Sequence, residues 1–287
     1  MMTPSLQERA SAMLIYHRPH TLTEAAEAAR HADIAVAGGG LLFAGEDLAY
    51  THIVDLQAVP ECTRVAVFEA GAQFGSAQPL ARVLEWGGLP HAMRSALTRT
   101  LTPNLLNRVS IGESIVMSAH PLMAEWRAVL MAHDIGVEVL DPETGVSEWE
   151  SAITLWERGT WGKGLIIGID IPMLERGEAL ETAHVARTPA DVAIVNAAVF
   201  VVHTPTHGPD ILLTVCGASA EPLFNLALSD LAGRPFDADA IGVAAAQAAA
   251  LCAPVGDYRG SAEYRRAMVG VCVRRALEAA QRALTGR

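Results

Sequence analysis

Cysteine is sparse, and the four present, Cys62, Cys216, Cys252 and Cys272, lie far apart with no C-x-x-C pair. That excludes a zinc site or an iron–sulfur cluster assembled from this chain alone, and predicts buried free thiols. No Lys/Arg cluster is interleaved with aromatics and the net charge is −11, so electrostatics oppose a nucleic-acid phosphate backbone. No apolar run approaches the about 18 residues that span a bilayer. The best stretch, 192–202, is interrupted by Asn196. Glu8, Arg9, His17 and Arg18 stand where a secretory leader needs an unbroken apolar core, so the expected location is the cytoplasm, with 1–12 as a short disordered lead. There is no G-x-S-x-G nucleophile elbow, no internal repeat and no low-complexity tract, so nothing points to hydrolysis and no catalytic residue is assigned.

What is present is apolar. The chain of 287 residues is 51% hydrophobic and 18% charged, with a mean hydropathy of +0.26. This composition belongs to globular proteins, the length predicts about two domains, and the apolar surplus predicts a partner interface.

Thr21 followed by Glu24 is a capping box that opens a helix through Ala25, Ala26, Ala28 and Ala29 to about His31. A β-type run, Ile34-Ala35-Val36-Ala37, follows and ends in Gly38-Gly39-Gly40; a second strand covers 51–56. The spacing next predicts a short strand over 64–71, a helix from Ser76 through Trp86 closed by Gly87-Gly88, partial helix over 90–106, and loop and strand over 107–118. Pro121 opens another helix to about Met131, and strands are expected at 136–140 and 165–171. A polar connection over 175–189 leads to a hairpin of strands 192–202 and 210–216, joined by His203-Thr204-Pro205-Thr206-His207-Gly208-Pro209. Helices are expected over 221–231, 239–252 and 261–284.

Three glycines ending a strand let a backbone approach a ligand closely and aim N–H groups at an anion, although a tight turn needing small residues explains them equally well. A Rossmann fingerprint is not present, because the G-x-G-x-x-G pattern from Gly38 meets Phe43; Asp55 is placed for a ribose contact but the glycine pattern is wrong. His203 and His207 stand four apart, but Pro205 between them excludes the helix that would aim both at one metal, so they read as solvated turn residues. No metal site is expected. Arg265, Arg266, Arg274 and Arg275 recur along the last helix and read as a solvated or ion-paired face.

A set of motifs in order goes further. Tyr16-His17-Arg18-Pro19-His20-Thr21-Leu22-Thr23-Glu24-Ala25, then Ala37-Gly38-Gly39, then Ile53-Val54-Asp55-Leu56, resembles the opening of the medium, flavin-carrying subunit of the molybdenum hydroxylases, the class of carbon monoxide dehydrogenase and xanthine dehydrogenase. The segment 101–112 is similar to the lead into that family's second flavin loop, and Ala190-Asp191-Val192-Ala193-Ile194-Val195 to the start of its C-terminal domain. Asp257-Tyr258-Arg259-Gly260-Ser261-Ala262-Glu263-Tyr264-Arg265-Arg266, followed by Val273-Arg274-Arg275-Ala276-Leu277, resembles its closing signature.

The resemblance implies an α+β protein: an FAD-binding domain of the vanillyl-alcohol-oxidase (PCMH) type over 12–176 and a smaller α+β C-terminal domain over 185–287. It implies that FAD is clasped by a first loop of Ala37, Gly38, Gly39, Gly40 and Leu41 and a second of Ser110, Ile111, Gly112, Glu113 and Ser114. Molybdenum–pterin and iron–sulfur clusters would reside on a large and a small partner subunit, and this chain would pass their electrons to an external acceptor. Both loops have drifted from the family pattern. Leu41 replaces a polar residue, and Glu113 replaces a glycine in T-x-G-G-N/D, where its carboxylate would repel a pyrophosphate. Ala124 or Glu125 falls near the family's flavin-contacting aspartate, and Glu181, Thr182 and His184 near the flavin ring. The alternative is a paralogue that keeps the fold for a structural or assembly role without flavin; a nicotinamide-dependent Rossmann enzyme is a more distant one.

Overall fold

The computed structural model describes residues 15–31, 34–36, 52–116, 121–157, 164–189, 191–204, 208–219, 223–227 and 235–286. The first glycine loop, Ala37, Gly38, Gly39, Gly40 and Leu41, lies outside them, as do the lead 1–12 and His207.

In chain order the strands are Ile15–His17 (β1), Ile34–Val36 (β2), His52–Asp55 (β3), Val65–Phe68 (β4), Gly71–Gly75 (β5), Gly136–Leu140 (β6), Ser147–Ser151 (β7), Leu165–Pro172 (β8), Glu178–Val185 (β9), Val195–Thr204 (β10), Gly208–Cys216 (β11) and Leu223–Ala227 (β12). The helices are Leu22–Ala29 (α1), Pro60–Thr63 (α2), Leu80–Glu85 (α3), His91–Thr100 (α4), Pro103–Arg108 (α5), Ile111–Val116 (α6), Ala124–Ala132 (α7), Ala152–Glu157 (α8), Ala238–Leu251 (α9) and Ala262–Thr285 (α10). They form two compact units, one of Met1–Trp86, Pro103–Met117 and Gly136–Ile171, the other of Gly87–Thr102, Ser118–Ile135 and Pro172–Arg287.

In the first unit α1 starts as its sequence dictates. The Thr21 hydroxyl accepts from Glu24 N (3.2 Å) while the Glu24 carboxylate accepts from His20 N (2.7 Å). Ala25 and Ala26 then bury against Val54, Leu56, Val59 and Cys62, with Leu140, Leu165 and Ile167 completing that core. A parallel sheet of order β1-β3-β2 and a five-stranded sheet of order β4-β5-β8-β6-β7 carry the rest.

The second unit is built on an antiparallel sheet of order β12-β11-β10-β9. Strand alternation sends Val195, Ala197, Val199 and Val201 of β10, with Leu213 and Val215 of β11, into a core shared with Ala244 and Ala248 of α9 and Val273 and Leu277 of α10. Each such valine or leucine contributes roughly 1.5–3 kcal/mol by leaving water. Helices α4 and α7 pack on this sheet as well, and His133, just past α7, meets Phe200 edge-on at 4.9 Å. The guanidinium of Arg99 on α4 pairs with the buried Glu125 of α7, and its Nη1 donates to the carbonyls of Pro189 (3.3 Å) and Asp191 (3.0 Å).

Several expectations are corrected. The polar stretch 175–189 contains strand β9, which pairs along β10 from Val202↔Glu178 to Val195↔Val185. The helix expected over 221–231 is not found in its described part, because Leu223–Ala227 adds to the sheet as β12 beside β11. Ser76 caps no helix; α3 begins after Pro79, and Ser76 N donates instead to Ile167 O at 3.0 Å. His203 is not a solvated turn residue but sits in β10, where its N–H donates to Gly177 O (2.8 Å). The stretch 107–118, expected as loop and strand, holds the end of α5 and the whole of α6.

Candidate cofactor site

Strand β2 pairs with β3 so that Val36, the last residue before the first loop, stands opposite Asp55. Asp55 is nearly buried and already committed: Oδ1 accepts from Gln57 N (2.9 Å), capping a 3-10 turn, and Oδ2 accepts from the Tyr16 hydroxyl. The bond from Tyr16 ties β1 to β3. The hydrogen bond to Asp55 is the main reason that the Tyr16 phenol titrates above its ordinary value. On the neighbouring positions His17 and His52 stack, with Nε2 of one 3.2 Å from Nδ1 of the other. Among the described residues no group of three or more His, Cys, Asp or Glu could hold a metal ion.

The second loop is fully described. Pro79 and Ser110 form an isolated antiparallel bridge, and Leu80 N donates to Val109 O (3.0 Å), so 76–80 and 109–112 run side by side. Gly112 is a glycine because of this neighbour: a Cβ there would stand 2.8 Å from the Ser76 Cβ and 2.9 Å from its carbonyl oxygen. Its close approach is to the protein's own backbone.

Ser110 and Glu113 form a reciprocal capping box at the start of α6. The Ser110 hydroxyl accepts from Glu113 N (3.2 Å), and the Glu113 carboxylate accepts from Ser110 N (3.0 Å). Ile111 N donates to Gln78 O (2.8 Å), Gly112 N to Ser76 O (2.9 Å) and Ser114 N to Ser110 O (3.0 Å). Every backbone N–H from Ser110 to Ser114 therefore has an acceptor inside the protein, and all five residues are buried. A pyrophosphate needs such donors, so this loop as folded does not fit one. The S-x-x-E pattern at Ser110–Glu113 is the sequence signal that announces this cap.

The other residues that the resemblance sets near the flavin lie in the second unit. Ala124 opens α7, and Glu125 is held by Arg99. Glu181, Thr182 and His184 lie on β9; the Thr182 hydroxyl donates to Ala197 O (3.1 Å) and accepts from Asn196 Nδ2 (2.8 Å). Burial first, and the Arg99 cation second, hold the His184 imidazole below its ordinary value. Two polar side chains anchor the second unit. Arg99, which no sequence motif marks, is one. Arg265 is the other: expected on a solvated or ion-paired face, it is ion-paired but buried at 3% exposure, and it donates to Ile194 O (2.6 Å) and to Asp257 Oδ1 (2.6 Å).

Element order and an antiparallel C-terminal sheet packed against two helices define a class, that of two-unit α+β proteins. Residues 8–172, more than half of the chain, match the model of the FAD binding domain in molybdopterin dehydrogenase, and residues 182–280 that of the CO dehydrogenase flavoprotein C-terminal domain. The chain belongs to this family, the FAD-domain medium subunits of the molybdenum hydroxylases. A stretch of 52 residues is 48% identical to the carbon monoxide dehydrogenase medium chain of Hydrogenophaga pseudoflava, spanning 18% of this chain and 18% of that relative. The fold is similar to that in the carbon monoxide dehydrogenase of the same organism, which lacks the Mo-pyranopterin moiety of the molybdenum cofactor (TM-score 0.79, 22% identity, 98% of this chain and 99% of that one). It is similar also to quinoline 2-oxidoreductase from Pseudomonas putida 86 (TM-score 0.78, 18% identity, 99% of each). Among the described residues no helix is long and apolar enough to cross a membrane.

Proposed function

We propose that this chain is the medium subunit of a heteromeric molybdenum hydroxylase, working in the cytoplasm and passing electrons from the iron–sulfur clusters of a small subunit to an external acceptor. A large subunit would oxidise the substrate at molybdenum–pterin. The observation that carries this reading is the match of both family models in order, over 8–172 and 182–280. FAD, when bound, supplies the redox chemistry; the protein supplies position and electrostatics. We assign its pyrophosphate to the first loop, Ala37, Gly38, Gly39, Gly40 and Leu41. Of the second loop, Ser110, Ile111, Gly112, Glu113 and Ser114, the capping box argues against a phosphate contact.

The test is to co-express the chain with its genomic neighbours and measure FAD released from the purified assembly on denaturation. About one FAD per assembly supports the redox reading, and Gly38→Val should then abolish it by blocking backbone approach. The capping box favours one second reading, a non-flavin paralogue with an assembly role, for which the assembly would form without FAD.

A further inference from the structure

We propose that Glu113 occupies the anion position of the second loop as a built-in substitute for phosphate, so that a bound flavin nucleotide is held without residues 110–114. The inference rests on those residues being the family's second flavin loop. Three observations carry it. The Glu113 carboxylate takes the Ser110 N–H at 3.0 Å, a donor of the kind that phosphate oxygens accept at helix starts. The amides of Ile111 and Gly112 are turned into the protein, onto Gln78 O and Ser76 O, and those of Glu113 and Ser114 are taken by Ser110. The carboxylate is tethered three residues from the amide it caps, so no second molecule has to be ordered to satisfy it. An incoming pyrophosphate would have to displace a like charge and break the cap before gaining a donor. Repulsion alone would weaken binding; repulsion together with closed amides removes the loop from the contact set.

Two measurements on the full chain test this. Amide exchange is read by NMR at 110–114, with and without saturating FAD, in the wild type and in Glu113→Gly. The wild-type Ser110 amide should be protected without FAD and unchanged by it, and should exchange at least tenfold faster in Glu113→Gly. Protection at 110–114 that rises on adding FAD, or a Ser110 amide indifferent to Glu113→Gly, overturns the proposal. FAD affinity is then titrated by flavin fluorescence. Glu113→Gly should tighten it tenfold or more, while Glu113→Gln, which keeps an acceptor for Ser110 N and loses the charge, should gain much less. Equal gains in the two variants would mean that charge, not the closed cap, excludes phosphate, and would overturn it. If no variant binds FAD although folded, the flavin reading of the chain fails, and the exchange of the Ser110 amide still decides the role of Glu113.

Discussion

Arg265 shows how much one side chain can hold. Its guanidinium joins α10 to the first residue before β10 through Ile194 O, and to the loop ahead of α10 through Asp257. Replacing it with alanine removes a buried charge-assisted donor pair and should lower unfolding stability by about 2–4 kcal/mol, read as a shift in urea midpoint with an unchanged slope. Asp257 gives the same contact a pH signature. Partial burial works against its charge, but Arg265 and the side-chain and backbone bonds from Arg259 outweigh that and hold the carboxyl well below the usual carboxylate range. A folded value below the unfolded one stabilises at pH above about 4, and the contribution is lost as pH falls toward the folded value. Between pH 4 and 2 the wild type should therefore lose more stability than Asp257→Asn; parallel curves would refute the linkage. The cysteines behave as their spacing suggested. All four are buried and free, and burial is the main cause that pushes Cys62 and Cys216 to about 11 and Cys272 to about 12. A thiol reagent at pH 8 should label the native chain slowly and the unfolded chain completely. At this scale the Thr21–Glu24 cap was legible, since T-x-x-E is a local pattern, while Ser76 is not the cap that its position suggested. The burial of Arg265 was not legible, because one of its partners, Ile194 O, lies 71 residues away.

Elements were legible where periodicity was strong and misread where pairing decided. The long helices α9 and α10 lie within a residue of their expected bounds, carried by the caps Asp237 and Ser261. Strand β9 reads Glu-Ala-Leu-Glu-Thr-Ala-His-Val, rich in residues that strands disfavour, and is a strand because β10 offers it a ladder. Strand β12, Leu-Phe-Asn-Leu-Ala, has helical spacing in sequence and is likewise captured by β11. The turn after β11 is the most demanding point of this sheet. Gly217 has φ +78, and a Cβ there would lie 2.1 Å from Ile194 O. Gly217→Val should cost about 3 kcal/mol or more through backbone strain and the displaced carbonyl, seen as a lowered thermal midpoint. A midpoint within a degree of wild type would show that the turn relaxes freely.

For the whole molecule, the sequence motifs fall along the chain in a linear order, while the compact units do not. The stretches Gly87–Thr102 and Ser118–Ile135 lie within the N-terminal family match yet pack with the C-terminal unit. Helices α4 and α7 therefore serve a sheet whose strands come later in the chain. A fragment of residues 185–287 would lack both helices and nearly all of β9, leaving buried positions of β10 and β11 open to water. It should show no cooperative thermal transition, whereas a sharp one would mean that α9 and α10 suffice. Composition and periodicity could not reveal this interleaving, because they report on neighbours in sequence and α7 packs on strands β9, β10 and β11, which come much later in the chain.

The interleaving also imposes a schedule. Nearly every residue of α7 is buried in the finished fold, and although α4 is already made when α7 leaves the ribosome, the faces that pack on β10 and β11 still have nothing to cover them. At roughly 5–20 residues per second, β10 and β11 follow only several seconds later. In that interval the nascent chain is exposed to wrong partners, and its yield in the cell should depend on holdase chaperones and slow growth more than its final stability would suggest.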